Sequence, residues 1–282
     1  MTKPNTTRLR ALAGSVLRIV SLVLCLMAPA ASAGAQAHVR TFTKAYSFDP
    51  DGVINLLAYK GSIDIIPWDQ PQVQIDVRIV ADDMAGAVML WDVKVRIAGS
   101  LLDLEIETDY RGALRKIEDL AEASIYPRLP RVHYVIRMPS TARLKVEDYM
   151  SDTIIRGFHA PLEYYTYKGT LEMTDFRGSL DLAMFMGKAQ VALGTRIGNC
   201  KIETHQGAVA VDLPDGLGVD LDVNLGTPQA VFANENDDLA VRQGSTMRGK
   251  PKPDQAYRGT LNGGGARLSL ATHSGSLRLR KQ

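Results

Sequence analysis

Cysteine is almost missing from this chain; Cys25 and Cys200 are the two it has. No disulfide framework can staple such a protein, so stability must come from a buried core and from backbone ladders. Acidic residues are missing from the first stretch altogether, and Asp49 is the first. Long apolar runs are also missing. The densest one, Ile19 to Met27, is well short of the roughly 20 residues that cross a bilayer. The sequence has no GxxxxGK[ST], no GxGxxG ahead of a helix, no GxSxG and no HExxH. That removes the usual phosphate cradles, the hydrolase nucleophile elbow and the zinc-protease helix. The five histidines, His38, His133, His159, His205 and His273, show no metal-ligand spacing.

What is present begins with a leader. Lys3, Arg8 and Arg10 precede the apolar stretch, Pro29 follows it, and Ala31-Ser32-Ala33 gives a small-x-small cleavage pattern. Residues 1–33 have the layout of a secretory signal peptide. Cys25 follows Leu24 rather than a small residue, which argues against a lipoprotein cysteine. Removing Lys3, Arg8, Arg10 and Arg18 leaves 29 of the 33 basic residues against 31 acidic ones, a net charge of about −2. The basicity therefore belongs to the leader, and no electrostatic footprint for nucleic acid remains.

Residues 34–282 are expected to form one all-β domain. Period-two alternation runs through Val73, Ile75, Val77 and Ile79, and again through Val93, Val95 and Ile97. Ala98-Gly99-Ser100 then turns the chain into Leu102, Leu104 and Ile106, a hairpin pattern. A short amphipathic helix is expected as an insert over about 109–125, with Leu114, Ile117, Leu120 and Ala121 at helical spacing and Asp109 as its N-cap.

The most informative stretch is a repeat. Glycines 169, 178, 187, 198 and 207 are spaced by 9, 9, 11 and 9. The second and fourth residues after each are small or apolar, from Leu171 and Met173 to Val209 and Val211. The sixth is often apolar as well, as at Met184, Leu193 and Leu213. Each unit is a turn followed by a short strand with one apolar face, and such faces become buried when units stack. This predicts a β-solenoid or stacked β-roll of short glycine-punctuated strands; an antiparallel sandwich is the alternative. Cys200 falls at an inward position, which predicts a buried, inert thiol. The final stretch, Leu261 to Leu279, is expected to form a hairpin-like cap.

Candidate chemistry is sparse. Asp215-Gly216-Leu217-Gly218-Val219-Asp220 matches part of a calcium-binding roll unit, but no second copy stacks on it. Asn234-Glu235-Asn236-Asp237-Asp238 has Leu239 where a calcium loop needs glycine. No catalytic or metal residue and no cofactor is assigned. The binding candidates are the aromatics Tyr164, Tyr165, Tyr167, Phe176 and Phe185. Phe176 and Phe185 each stand seven residues after a repeat glycine, an odd phase that places them outside the column.

Gly61-Ser62-Ile63-Asp64-Ile65 with Trp68-Asp69, the Gly-Ser/Thr-Leu units at 169–171 and 178–180, and the closing Asn262-Gly263-Gly264-Gly265 and His273-Ser274-Gly275-Ser276-Leu277 resemble the bacterial putative adhesin domain family. The likeness spans roughly residues 40–281. It implies an exported β-repeat domain of unknown function, without catalytic residues. The expected function is an exported, non-enzymatic, adhesin-like binding or scaffold protein of the bacterial envelope, in the periplasm or at the cell surface. Its expected partner is a cell-surface glycan or an envelope protein, with no nucleic acid and no transmembrane segment in the mature chain. The alternatives are an envelope-stress or structural protein with a protein partner and, further off, a polysaccharide-active β-helix enzyme.

Overall fold

A computed structural model describes residues 38–122, 128–235, 240–243 and 256–281. The leader expected at 1–33 and most of the acidic run at 234–238 lie outside the described residues. The first part of the chain comprises β1 (His38–Ser47), β2 (Val53–Trp68), β3 (Gln72–Ala81), α1 (Met84–Ala87), β4 (Lys94–Gly99), β5 (Asp103–Asp109), α2 (Arg111–Glu122) and β6 (Arg131–Pro139). Then follow β7 (Arg143–Arg156), β8 (Leu162–Phe176), β9 (Leu180–Leu193), β10 (Cys200–Thr204), β11 (Ala208–Leu213) and β12 (Val219–Leu225). The last elements are β13 (Val231–Asn234), β14 (Ala240–Gln243), β15 (Ala256–Leu261), β16 (Ala266–Thr272) and β17 (Ser276–Lys281).

The protein is mainly β, an open sheet of many strands. Strands β2, β7, β8 and β9 are long and bend in their middle, so each contributes to two hydrogen-bonded runs. Through their first halves run β4, β5, β2, β7, β8, β9, β10, β16, β12, β15 and β14. Through their second halves run β1, β3, β6, β2, β7, β8, β9, β11, β17 and β13. Both halves of each bent strand turn their apolar side to one core. In β2, Ile54 and Leu56 are buried before the bend and Ile63 and Ile65 after it.

The middle of each run is parallel, and from β7 through β10 and β11 each step is 18 or 20 residues. Leu162 pairs with Leu180, 18 residues on, and Leu180 pairs with Cys200, 20 residues on. These steps are two glycine units each, so the repeat spacing sets the strand register. The inward column is as expected: Leu171, Met173, Leu180, Leu182, Ala189, Val191, Cys200, Ile202, Val209 and Val211 are all buried. Glu172, Gln190 and Lys201 between them are exposed. Cys200 is a free, buried thiol, and burial pushes its pKa up to about 12. It is held as the inert thiol.

Two expectations are corrected here. The C-terminal segment is not a cap. Strand β16 lies between β10 and β12, and β17 lies between β11 and β13, all parallel. The chain steps past one layer after β11 and fills the gap with its last strands. Thr272-His273-Ser274-Gly275 repeats the turn made by Thr204-His205-Gln206-Gly207, which is why it fits an interior layer: in both, a threonine Oγ1 accepts the glycine N–H. The second correction concerns uniformity. Three of the four ends are antiparallel, with β1 on β3 and β3 on β6, β4 on β5, and β12 and β14 on β15, so the glycine rule does not govern them. The predicted hairpin is β4–β5. Helix α2 follows it, started by Asp109, whose carboxylate accepts the Arg111 N–H and pairs with Arg111 and Arg96.

Candidate functional site

The bend in each long strand creates a corner. At this corner the residue two before the glycine, or before Ser151 in β7, points out and is aromatic or histidine. The set is Tyr59, Tyr149, Tyr167, Phe185, His205 and His273, and it stacks into one ladder. Ring centroids are 4.9, 5.0, 5.1, 4.7 and 4.5 Å apart along it, with interplanar angles between 3° and 11°. The spacing is that of neighbouring strands, because in-register parallel pairing puts equivalent residues one strand apart. Tyr110 closes one end, tilted 40° against Tyr59, with its own hydroxyl donating to the Pro130 carbonyl. At the other end His273 lies beside Gly226, which has no ring to add.

At Gly187 the corner excludes a side chain for a steric reason. Gly187 has φ +126°, and a Cβ there would lie 2.2 Å from the Gly169 carbonyl oxygen. Only a residue without a side chain lets adjacent strands approach this closely. One position before three of the rings, at Asp148, Thr204 and Thr272, stands a buried side chain that accepts the N–H three residues on. Asp148 accepts from the Ser151 N–H and hydroxyl and from the Thr166 hydroxyl. Burial raises the Asp148 carboxyl above its ordinary range, against the pull of those bonds.

Beside the ladder runs a groove of about 830 Å³. The rings of Tyr59, Tyr149, Tyr167, Phe185 and His205 form one wall. Leu57, Glu147, Tyr165, Ala183 and Glu203 form the other, since register pairs them rung by rung. Glu147 is bonded to Lys145 and Glu203 to Lys201, each raising the lysine pKa. Each inner ring is stacked on both sides, so it offers solvent its edge rather than its face. The groove wall is thus apolar, with the weakly positive rim of each ring outward. Among the described residues no group of three or more His, Cys, Asp or Glu side chains is placed to hold a metal ion.

The five sequence candidates fall in two different places. Tyr165, Tyr167 and Phe185 line the groove, with Tyr167 41% and Phe185 39% exposed. Tyr164 and Phe176 do not; both are buried in the core. The Tyr164 hydroxyl meets Thr153 Oγ1 at 2.6 Å, and Phe176 packs against Phe158 with centroids 6.3 Å apart. The expectation that Phe176 shares the outward phase of Phe185 is therefore corrected. Asp175 takes φ +50° and the β8–β9 register shifts between Met173 and Phe176, which turns the next side chain inward. Its signal was in the sequence. Asp175 occupies the sixth place after Gly169, where Met184, Leu193 and Leu213 stand in other units. Tyr59, Tyr149, His205 and His273 were missed as ladder members. Their shared signature is an aromatic or histidine two residues before every second turn glycine or serine.

Comparison with known proteins leaves the ligand open. No family model matches the chain, and no curated protein matches it. Among solved structures, the chain is similar to a putative cell adhesion protein from Clostridium sporogenes at 12% identity and a TM-score of 0.49, over 87% of this chain and 100% of that one. It is also similar to a putative adhesin from Parabacteroides distasonis at 9% identity and a TM-score of 0.23, over 85% of this chain and 97% of that one. Likeness at this level says nothing of what this chain binds. Among the described residues no helix is long and apolar enough to cross a membrane.

Proposed function

We propose that this protein is an exported, non-enzymatic, adhesin-like binding or scaffold module of the bacterial envelope, built on a solenoid-like parallel run. The observation that carries this reading is the ladder of six rings along an apolar groove on the outward side of the corner. Tyr59 is half-buried against the core and His205 is half-buried, but Tyr149, Tyr167, Phe185 and His273 are exposed. A protein partner suits them better than a glycan. Sugars stack on ring faces, and here the inner faces are taken by neighbouring rings. An apolar segment of a partner protein can lie against ring edges and use the groove between them and Tyr165.

A photo-crosslinking amino acid placed at Phe185 in living cells tests this, with Glu172, on the other strand run, as the control position. A discrete envelope-protein adduct from position 185 and none from position 172 is expected. Absence of any adduct at 185, or the same adducts at both, would sink the reading.

A further inference from the structure

A second surface is built differently from the groove and stands apart from it in sequence. Residues Met84-Ala85-Gly86-Ala87-Val88-Met89-Leu90-Trp91 are eight in a row without a polar side chain. They follow Asp83, an extended N-cap whose carboxylate accepts the Gly86 N–H. The backbone continues in helical turns through Asp92 and Val93. Gly86 is packed tightly inward, since a Cβ there would lie 2.8 Å from the Arg128 carbonyl oxygen. Gly86, Met89, Leu90 and Val93 form the buried side. The other side is also apolar, with Met84 71%, Val88 54% and Trp91 67% exposed. A helical segment apolar all round is normally covered on both sides, and three neighbouring large apolar side chains in water mark a contact surface.

The charges around it indicate what the cover is. Arg40 lies 5.0 Å from the Trp91 ring and donates to the Val93 carbonyl. Lys94 donates to the Trp91 carbonyl, and Lys116 donates to the Val88 carbonyl and pairs with Asp92. The nearby carboxylates are each turned to a partner: Asp82 to Arg131, Asp83 to the helix N-terminus and Asp92 to Lys116. Arg40 and Lys94 have carbonyl partners and no carboxylate partner among the described residues. The patch is therefore tryptophan, methionine and valine rimmed by cations. Tryptophan favours the level of lipid headgroups, and lysine and arginine beside it favour anionic ones. A second copy of the chain would bring the same cations against these.

We propose that Met84, Val88 and Trp91 dock this protein on an anionic lipid surface, with Arg40, Lys94 and Lys116 facing the headgroups. The protein lies on that surface and does not span it. This proposal is independent of what fills the aromatic groove.

The test is sedimentation of the purified protein with phosphatidylcholine vesicles, with and without phosphatidylglycerol, alongside Val88→Ser/Trp91→Ser and Lys94→Glu variants. Residues outside the described set are the same in every protein, so their contribution cancels. Wild type is expected to bind the phosphatidylglycerol vesicles selectively and to release in high salt. The double variant is expected to bind at least about ten-fold more weakly, and Lys94→Glu to lose much of the lipid selectivity. All three substitutions are at exposed side chains, so an unchanged thermal midpoint and circular dichroism spectrum confirm that folding is intact. Binding that is indifferent to phosphatidylglycerol, or to the loss of Val88 and Trp91, overturns the proposal. So does self-association without vesicles that depends on Trp91, which would make a second copy the occupant.

Discussion

The parallel run has two kinds of corner, and the same sequence device does opposite things in them. In Tyr167-Lys168-Gly169 and Phe185-Met186-Gly187 the aromatic two before glycine points out and joins the ladder. In Phe176-Arg177-Gly178 the aromatic two before glycine points in. The difference is the residue ahead of it. Asp175 has φ +50°, and Gly157, just before the buried Phe158, has φ +61°. One left-handed residue inverts the alternation that otherwise fixes which side faces water. A corner without it displays its ring, and a corner with it buries its ring. Identical spacing thus yields core at one corner and surface at the other.

Loss of an inward ring should break the comparison most severely. Phe176→Ala is expected to lower stability by about 4 kcal/mol, as for a fully buried phenylalanine whose cavity cannot collapse. The guanidinium unfolding midpoint checks it. A loss below about 1 kcal/mol would mean that Phe176 is not a core ring. The next largest effect belongs to the outward corner. Gly187→Ala is expected to cost about 3 kcal/mol, because strain at φ +126° adds to a backbone collision with Gly169. The same substitution at Gly216, where φ is +78° and a Cβ meets nothing within 4 Å, should cost about 1 kcal/mol.

How far the sequence could reach follows from these corners. Units of 9, 9, 11 and 9 residues become steps of 18 and 20, so the register of the middle strands was legible. So was the inward column, including Cys200. The ladder was legible only at Tyr167 and Phe185, while Tyr59, Tyr149, His205 and His273 gave no such sign on their own, because stacking depends on register and not on neighbours in sequence. The insertion of β16 and β17 between earlier strands was illegible, since nothing local to Ala266–Lys281 names β10 or β12 as partners. The Met84–Trp91 segment was passed over for a related reason. It has no alternation to mark a strand, and it is too short to mark a helix.

The buried residue ahead of each ring separates the outward corners from one another by pH. Asp148 does in its turn what Thr204 and Thr272 do in theirs, accepting an N–H three residues on, but with a carboxyl group. Its folded-state pKa is raised by burial. A raised carboxyl contributes stability that is present below the ordinary carboxylate pKa and is lost as pH climbs through the folded value. Asp148→Thr should therefore compare better with wild type at neutral pH than at pH 4. Denaturant unfolding at both pH values measures that difference, and a gap that does not change with pH would remove the carboxyl from the account.

The smallest expected effect on stability carries the most weight for function. Phe185 stacks on Tyr167 and His205, and each such contact contributes about 0.5–1.5 kcal/mol when desolvated. The ring is 39% exposed, and water replaces part of what its removal loses. Phe185→Ala should then cost about 1 kcal/mol, against about 4 for Phe176→Ala. A double-mutant cycle with Tyr167→Ala isolates the stacking itself, since both single changes remove the ring pair and leave the paired backbones in place. A coupling of several kcal/mol would make the ladder a structural staple and leave the groove without a reason. A coupling near 1 kcal/mol is no more than an ordinary ring pair contributes, so no single pair acts as a staple. The alignment of the rings would then be explained by whatever lies against their edges.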